Sequence, residues 1–195
     1  MEIRLDCDGP IGVMDSGMGG ISVLRELAGL LPHENFVFYG DSANAPYGSR
    51  STEEIYQLTE QVVQKLLHRG VKAVVIACNT ASSAAGARLR AEYPELPIVA
   101  IEPALKPAVI ACPGGRVVVL GCTHYPFVSK VIAELLGQQV KVFDGAAGTA
   151  RQLRRRLYSR RLLTTSQQPG SIQWLNSSPE PEMIELSKKL FNITI

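Results

Sequence analysis

Two stretches of the chain end a hydrophobic run in the same way, with a cysteine followed by hydrogen-bonding residues. Val74-Val75-Ile76-Ala77 leads into Cys78-Asn79-Thr80, and Val117-Val118-Val119-Leu120-Gly121 leads into Cys122-Thr123-His124. β-Branched apolar runs of this length read as buried parallel strands. The thiols then fall just past the carboxyl ends of strands, where open α/β sheets hold their ligands. Free cysteine is among the most buried residue types, so either thiol alone could be packing. Their repetition points instead to one substrate held between two similar half-sites. Such a pair suits taking a proton from one face of a carbon and returning one to the other.

The α-carbon of an amino acid is a very weak acid, so its base must be positioned in a water-poor pocket. A thiolate can serve, because its pKa of about 8.5 falls near a helix N-terminus or a cation. Each cysteine precedes an expected helix, and His124 lies two positions after Cys122. Further polar groups gather at the same edge. The turn Asp15-Ser16-Gly17-Met18-Gly19-Gly20 follows the first strand, and its N–H groups can hold an anion at a helix start. It is neither a Walker loop nor a G-x-G-x-x-G fingerprint, and a purely structural βα turn would use the same glycines. The second strand ends at Tyr39-Gly40-Asp41 and leads to Asn44-Ala45-Pro46-Tyr47-Gly48. Three strands thus deliver Asp15 with Ser16, Asp41, and Cys78 with Asn79 and Thr80 to one edge. Carboxylates for an ammonium group, with hydroxyls and backbone donors for a carboxylate, amount to amino-acid recognition. No lysine context points to pyridoxal, and no organic cofactor is expected.

The elements that must position these groups alternate along the chain. Strands are expected at 11–14, 35–39, 73–77 and 97–101, with helices at 20–31, after Ser51, and at 81–93. Ser51 with Glu54 forms a capping box, and Gly70 ends the helix it opens. Such alternation predicts an α/β fold, a parallel sheet covered by helices on both faces. Residues 102–115 carry Pro103, Pro107 and Pro113 and read as a crossover with one helical turn. Beyond the second cysteine, a helix is expected at 126–136, a strand at 140–143 and an arginine-rich helix at 147–161. A strand at 172–175 and a helix at 181–190 complete the chain. Residues 140–195 look too few to stand alone and are expected to pack back on the first sheet.

Composition narrows the classes. The 195 residues are 46% apolar and 19% charged, with a net charge of +2, which gives no global reason to expect a nucleic-acid partner. The charged start and the absence of a long apolar stretch predict a cytoplasmic protein without a membrane partner. Its four cysteines, at 7, 78, 112 and 122, are expected reduced. Cys112, Cys122 and His124 match no common zinc spacing and lack a fourth ligand, so no metal is expected. Six arginines crowd 151–161; a solvated helix face is the plain reading and an anionic partner the alternative.

Four segments taken together resemble the successive signatures of the glutamate racemase family. They are Asp15 to Gly20, Tyr39 to Gly48, Ala77-Cys78-Asn79-Thr80-Ala81-Ser82 and Gly121-Cys122-Thr123-His124-Tyr125-Pro126. Ile101-Glu102-Pro103-Ala104-Leu105-Lys106-Pro107-Ala108 is similar to that family's crossover into its second domain. The resemblance implies a pseudo-symmetric two-lobe fold. It implies cofactor-independent conversion of L-glutamate to D-glutamate for peptidoglycan, with Cys78 and Cys122 as the two bases. Asp15, Asp41 and His124 match positions that assist them. Asp15 with Ser16, Tyr47 with Gly48, Asn79 with Thr80, and Thr123 with His124 would contact the substrate. A racemase of a related amino acid such as aspartate, or an impaired remnant that binds a ligand or partner, are the competing readings.

One departure stands out. Only 44 positions separate the two cysteines, where the family places a complete second α/β domain. Two valine-rich strands look fused, which implies a truncated second lobe. Residues 1–100 with 140–195 would form the first lobe and 101–139 the remnant of the second. A lobe of one or two strands has too little core of its own, so exposed apolar surface and a homo-oligomer are expected.

Overall fold

The computed structural model describes residues 5–137 and 139–193. Five strands form the larger sheet: β1 (Ile11–Asp15), β2 (Phe36–Gly40), β3 (Ala73–Ile76), β4 (Ile98–Ala100) and β7 (Ile172–Asn176). Their order is β4-β3-β1-β2-β7 and every pairing is parallel. From β1 the chain steps to β2 on one side and then to β3 on the other. The direction of winding therefore reverses at β1, which opens a crevice at the carboxyl ends of β1 and β3.

Side chains alternate along these strands and feed two apolar layers. Ile11, Val13, Phe36, Phe38 and Val75 face α1 (Ile21–Leu30) and α6 (Ala146–Ser159), with Leu24, Leu27, Leu153 and Leu157 opposite them. Trp174 of β7 packs between Phe38 and Phe191 on this side, at ring separations of 5.7 and 5.6 Å. Phe191 belongs to α7 (Pro181–Asn192). Met14, Val37, Val74 and Ile76 face α2 (Thr52–Leu67) and α3 (Asn79–Glu92). Gly12 lets α2 pack closely here: a Cβ at that position would stand 2.9 Å from Leu66 Cδ1 of α2. The capping box forms: Glu54 N–H donates to Ser51 Oγ at 3.3 Å, and Ser51 N–H donates to Glu54 Oε2 at 2.9 Å. Gly70 takes φ of +71°, a conformation that favours glycine.

A second, two-stranded sheet pairs β5 (Arg116–Val119) with β6 (Val140–Phe143), again in parallel. It is flanked by α4 (Leu105–Ala111) and α5 (Ser129–Leu136). Of residues 140–195, β7 joins the larger sheet beside β2 and α6 packs against α1, whereas β6 pairs with β5. The crossover holds a seven-residue helix, α4, where a single turn was expected. No helix among the described residues is long and apolar enough to cross a membrane.

At the opposite, amino-terminal edge of the larger sheet, Lys72 is fully buried and pairs with Glu34 at 2.5 Å. It also donates to the Cys7 carbonyl, while Glu34 Oε1 accepts from Thr164 N–H at 2.9 Å. That buried pair staples the 160s loop and the segment before β1 to the start of β3.

Candidate active site

Parallel register brings the ends of β1 and β2 level, with Asp15 beside Gly40, so Asp15 and Asp41 emerge together. Asp41 N–H donates to the Asp15 carbonyl at 2.9 Å, and Ala77 N–H donates to the Met14 carbonyl at 2.8 Å. Asp15, Asp41 and Cys78 therefore share the carboxyl edge of one sheet. All three are buried.

The Cys78 thiol is the N-cap of α3. It accepts from Ala81 N–H at 3.5 Å and donates to Ser16 Oγ at 3.3 Å. Asn79 and Thr80 are half-buried on the first turn behind it. Asp15 Oδ2 accepts from Gly17 N–H at 2.9 Å.

The second cysteine reaches this place because its loop docks on the β1–α1 turn. Thr123 Oγ1 donates to Asp15 Oδ1 at 3.3 Å, and Ser22 Oγ contacts the Thr123 carbonyl at 3.0 Å and the Gly19 carbonyl at 2.9 Å. The fit depends on two glycines. A Cβ on Gly19 would collide with Thr123 Oγ1 and stand 2.7 Å from His124 Nδ1; one on Gly20 would stand 2.7 Å from Asp15 Cβ and 2.8 Å from Ala77 Cβ. Cys122 is half-buried, with its sulfur 3.5 Å from His124 Nδ1, and His124 is exposed. Cys122 shares a narrow crevice with Asn79, Ser22 and Asp144.

The sites expected from sequence thus divide into two groups. Asp15, Ser16, Cys78, Asn79, Cys122, Thr123 and His124 lie around the β1 tip. Tyr47 is turned inward: it is buried, and its hydroxyl donates to Asp41 Oδ2 at 2.6 Å. Asn44 Nδ2 donates to both Asp41 oxygens at 3.1 Å. Asp41 is therefore engaged by Tyr47 and Asn44, while Gly48 is exposed beside them. Sequence reasoning passed over three positioning residues: Asn44, Ser22 and Asp144. Asp144 follows β6 and accepts from Ala146 N–H at 2.7 Å, an Asx-type start to α6. The Val-Phe-Asp-Gly order was the available signal.

Electrostatics depart from the sequence expectation at one point. The start of α3 was expected to lower the Cys78 thiol, but burial raises it, and the Asp15 carboxylate raises it further. The bonds to Ser16 and Ala81 pull the other way and are outweighed. Burial also raises Asp15, against the lowering effects of the Gly17 N–H and the nearby His124. Burial thus shifts both groups toward their protonated forms. The Tyr47 hydroxyl is likewise raised, first by burial and then by its bond to Asp41.

No family model matches the chain. Among individual proteins, it is 37% identical to the glutamate racemase of Clostridium perfringens, over 94% of this chain and 96% of that one. It belongs to the glutamate racemase family. The family's reaction is racemisation of glutamate, an isomerisation that supplies D-glutamate to the cell wall. The fold agrees: the Thermus thermophilus glutamate racemase, solved with β-chloro-D-alanine, superposes with a TM-score of 0.81 at 28% identity, covering 96% of this chain and 94% of that one. The Francisella tularensis enzyme, solved with D-glutamate, gives 0.79 at 21% identity, covering 97% and 96%. The alignment with the Clostridium relative spans 251 positions against 195 residues here, so at least 56 positions of that span have no counterpart in this chain.

Histidines away from the site are tied to backbone. His68 Nδ1 lies 2.7 Å from the Gln64 carbonyl, and His33 Nδ1 lies 3.0 Å from the Gln168 carbonyl. In the arginine-rich helix, Arg160 donates to the Pro94 and Glu95 carbonyls, at 3.1 and 2.5 Å. Among the described residues, the potential metal ligands that cluster are Asp6, Cys7 and Asp8, near Lys72 and away from the thiols.

Proposed function

We propose that this chain racemises glutamate in the cytoplasm, with Cys78 and Cys122 as acid/bases on opposite faces of the α-carbon. One observation carries the reading. The loop that bears Cys122 is fastened by Thr123 to Asp15, the residue whose neighbour Ser16 holds Cys78. Two thiols from different lobes are thereby anchored to one strand tip.

The chemistry follows from those groups. An incoming ammonium beside Asp15 favours the carboxylate and offsets the negative charge that holds the Cys78 proton. One cysteine, as thiolate, takes the α-proton; the C–H electron pair stays on carbon. The other cysteine, as thiol, delivers its proton to the opposite face, leaving a thiolate there. Atoms and charge balance without an oxidant. Backbone N–H groups near Ser16 and Thr123, with Asn79 and Thr80, receive the substrate carboxylates. Asp41 holds Tyr47 and Asn44 in place, and His124 lies close enough to Cys122 to exchange a proton with it. In this reading residues 1–100 with α6, β7 and α7 form the anchoring lobe, and 101–143 the shorter second lobe.

Purified protein incubated with L-glutamate in heavy water tests this directly. Deuterium at the α-carbon together with a fading optical signal is the expected result. Exchange without racemisation would leave one working base, and no exchange would end the proposal.

A further inference from the structure

Two helices that start at the candidate site end at one basic cavity. α3 runs from its Cys78 N-cap and α6 from beside Asp144. At their far ends Arg90, Arg156 and Arg160 line a cavity of about 110 Å³. Its back wall is the start of β4, where Pro97 and Ile98 are buried. No carboxylate lines it, and among the described residues none of the three arginines forms an ion pair. Glu92, at the end of α3, is taken up by Tyr56 and Arg88. Glu95 meets Arg160 through its backbone carbonyl.

We propose that this cavity binds a phosphate group, as the inorganic ion or as the monoester of a small molecule. Arginines near helix C-termini ordinarily offset the macrodipole, and Arg90 and Arg156 do lie in the last turns of α3 and α6. Magnitudes separate the two roles. Each C-terminus carries roughly half a negative charge, so the two together offset about one of the guanidinium charges. A surplus of about two positive charges remains, which matches a phosphate dianion near neutral pH.

Arg160 is already held in place. It donates to the Pro94 and Glu95 carbonyls, so little rotamer freedom is left to lose when a ligand arrives. Its planar fork carries further N–H donors, and guanidinium groups pair with phosphate oxygens two at a time. Buried Pro97 and Ile98 exclude water from one side, which strengthens the attraction. Size selects the ligand. The cavity is several times what one water needs, enough for a tetrahedral oxyanion but too little to seat the successive charges of a polymer. A phosphate held there bridges α3 to α6.

Isothermal titration calorimetry of the full chain with inorganic phosphate is the test, with ionic strength held constant by chloride and glycerol phosphate titrated alongside. Saturable one-to-one binding is expected, with a melting temperature that rises as phosphate is added. Arg90→Gln and Arg156→Gln change exposed helical positions, so their circular dichroism spectra should match wild type. Each should weaken binding by about tenfold or more, the loss of one charge-assisted hydrogen bond. Tighter binding of glycerol phosphate would support the site and name a phosphorylated small molecule as its ligand; tighter binding of the free ion would support it and name phosphate itself. No saturable binding, wild-type affinity in both variants, or binding of a long polyphosphate alone would each overturn the proposal, the last in favour of a solvated basic face. Because racemisation is not read, none of these outcomes touches the assignment of the thiols.

Discussion

β3 and β5 are near-copies in sequence, Ala-Val-Val-Ile and Arg-Val-Val-Val, yet they live in different surroundings. β3 lies between β1 and β4 under helices on both faces, and every residue in it is buried. β5 has one partner strand, and Arg116 is exposed while the three valines are half-buried. A valine-rich run specifies a strand; its neighbours decide whether that strand becomes a core. The larger sheet seats the candidate half-site of Cys78 by depth of packing. The smaller sheet seats that of Cys122 by one docked loop.

If both halves work, removing either thiol should have the largest effect. Cys78→Ala and Cys122→Ala are each expected to lower kcat by about 10²–10⁴-fold, the usual contribution of a positioned acid or base. Turnover that survives only in the Cys122 variant would make the smaller lobe dispensable and break the comparison.

Stability should separate the lobes as sharply. Leu66, fully buried on α2, should cost about 2–5 kcal/mol when changed to Ala. Leu135→Ala on α5 should change stability by no more than about 0.5 kcal/mol in dilute monomer. Urea unfolding measures both, and equal losses would mean that α5 is packed after all.

Gly19→Ala tests the docked loop. Its Cβ collides with Thr123 and His124, so the loop must shift while the larger lobe stays folded. A displacement near 1 Å can cost about 10²-fold in rate, and that loss with little change in melting temperature is expected. Unchanged turnover would show that the loop's seat does not matter.

The smallest effect is one of pH. Burial raises Asp15 above its ordinary 3.8, so the folded chain binds this proton more tightly than the unfolded chain does. Stability from the group is present below 3.8 and declines as pH rises through the raised value. Asp15→Asn should therefore melt higher than wild type at neutral pH and lose that advantage toward pH 3.8, while losing activity. A variant less stable at neutral pH would contradict the burial argument. Cys78 adds a kinetic counterpart: because burial and the Asp15 charge raise its thiol, kcat/KM should keep rising with pH beyond the range in which an ordinary thiol ionises.

What could be read in advance follows the reach of each interaction. The Ser51–Glu54 cap was legible because its partners are three residues apart. The edge shared by Asp15, Asp41 and Cys78 was legible because strand order and turn composition imply it. The pairing of β6 with β5 was not, since a four-residue strand carries no mark of its neighbour. Nor was the raised Cys78 thiol: the helix start is local, but the burial and the Asp15 charge that outweigh it come from β1 and the layers around it. The bond between the Tyr47 hydroxyl and Asp41 was not legible either, because it depends on the path of the turn between them.

The Cys78 sulfur is also the atom that closes the first turn of α3, through Ala81 N–H. An electrophile that forms a bond to this sulfur would do two things at once. It would block the proposed acid/base, and it would take away the acceptor that fastens the helix. A tight covalent inhibitor would then lower the protein's melting temperature instead of raising it. In a thermal-shift screen, the reagents that hit this thiol would look like destabilisers.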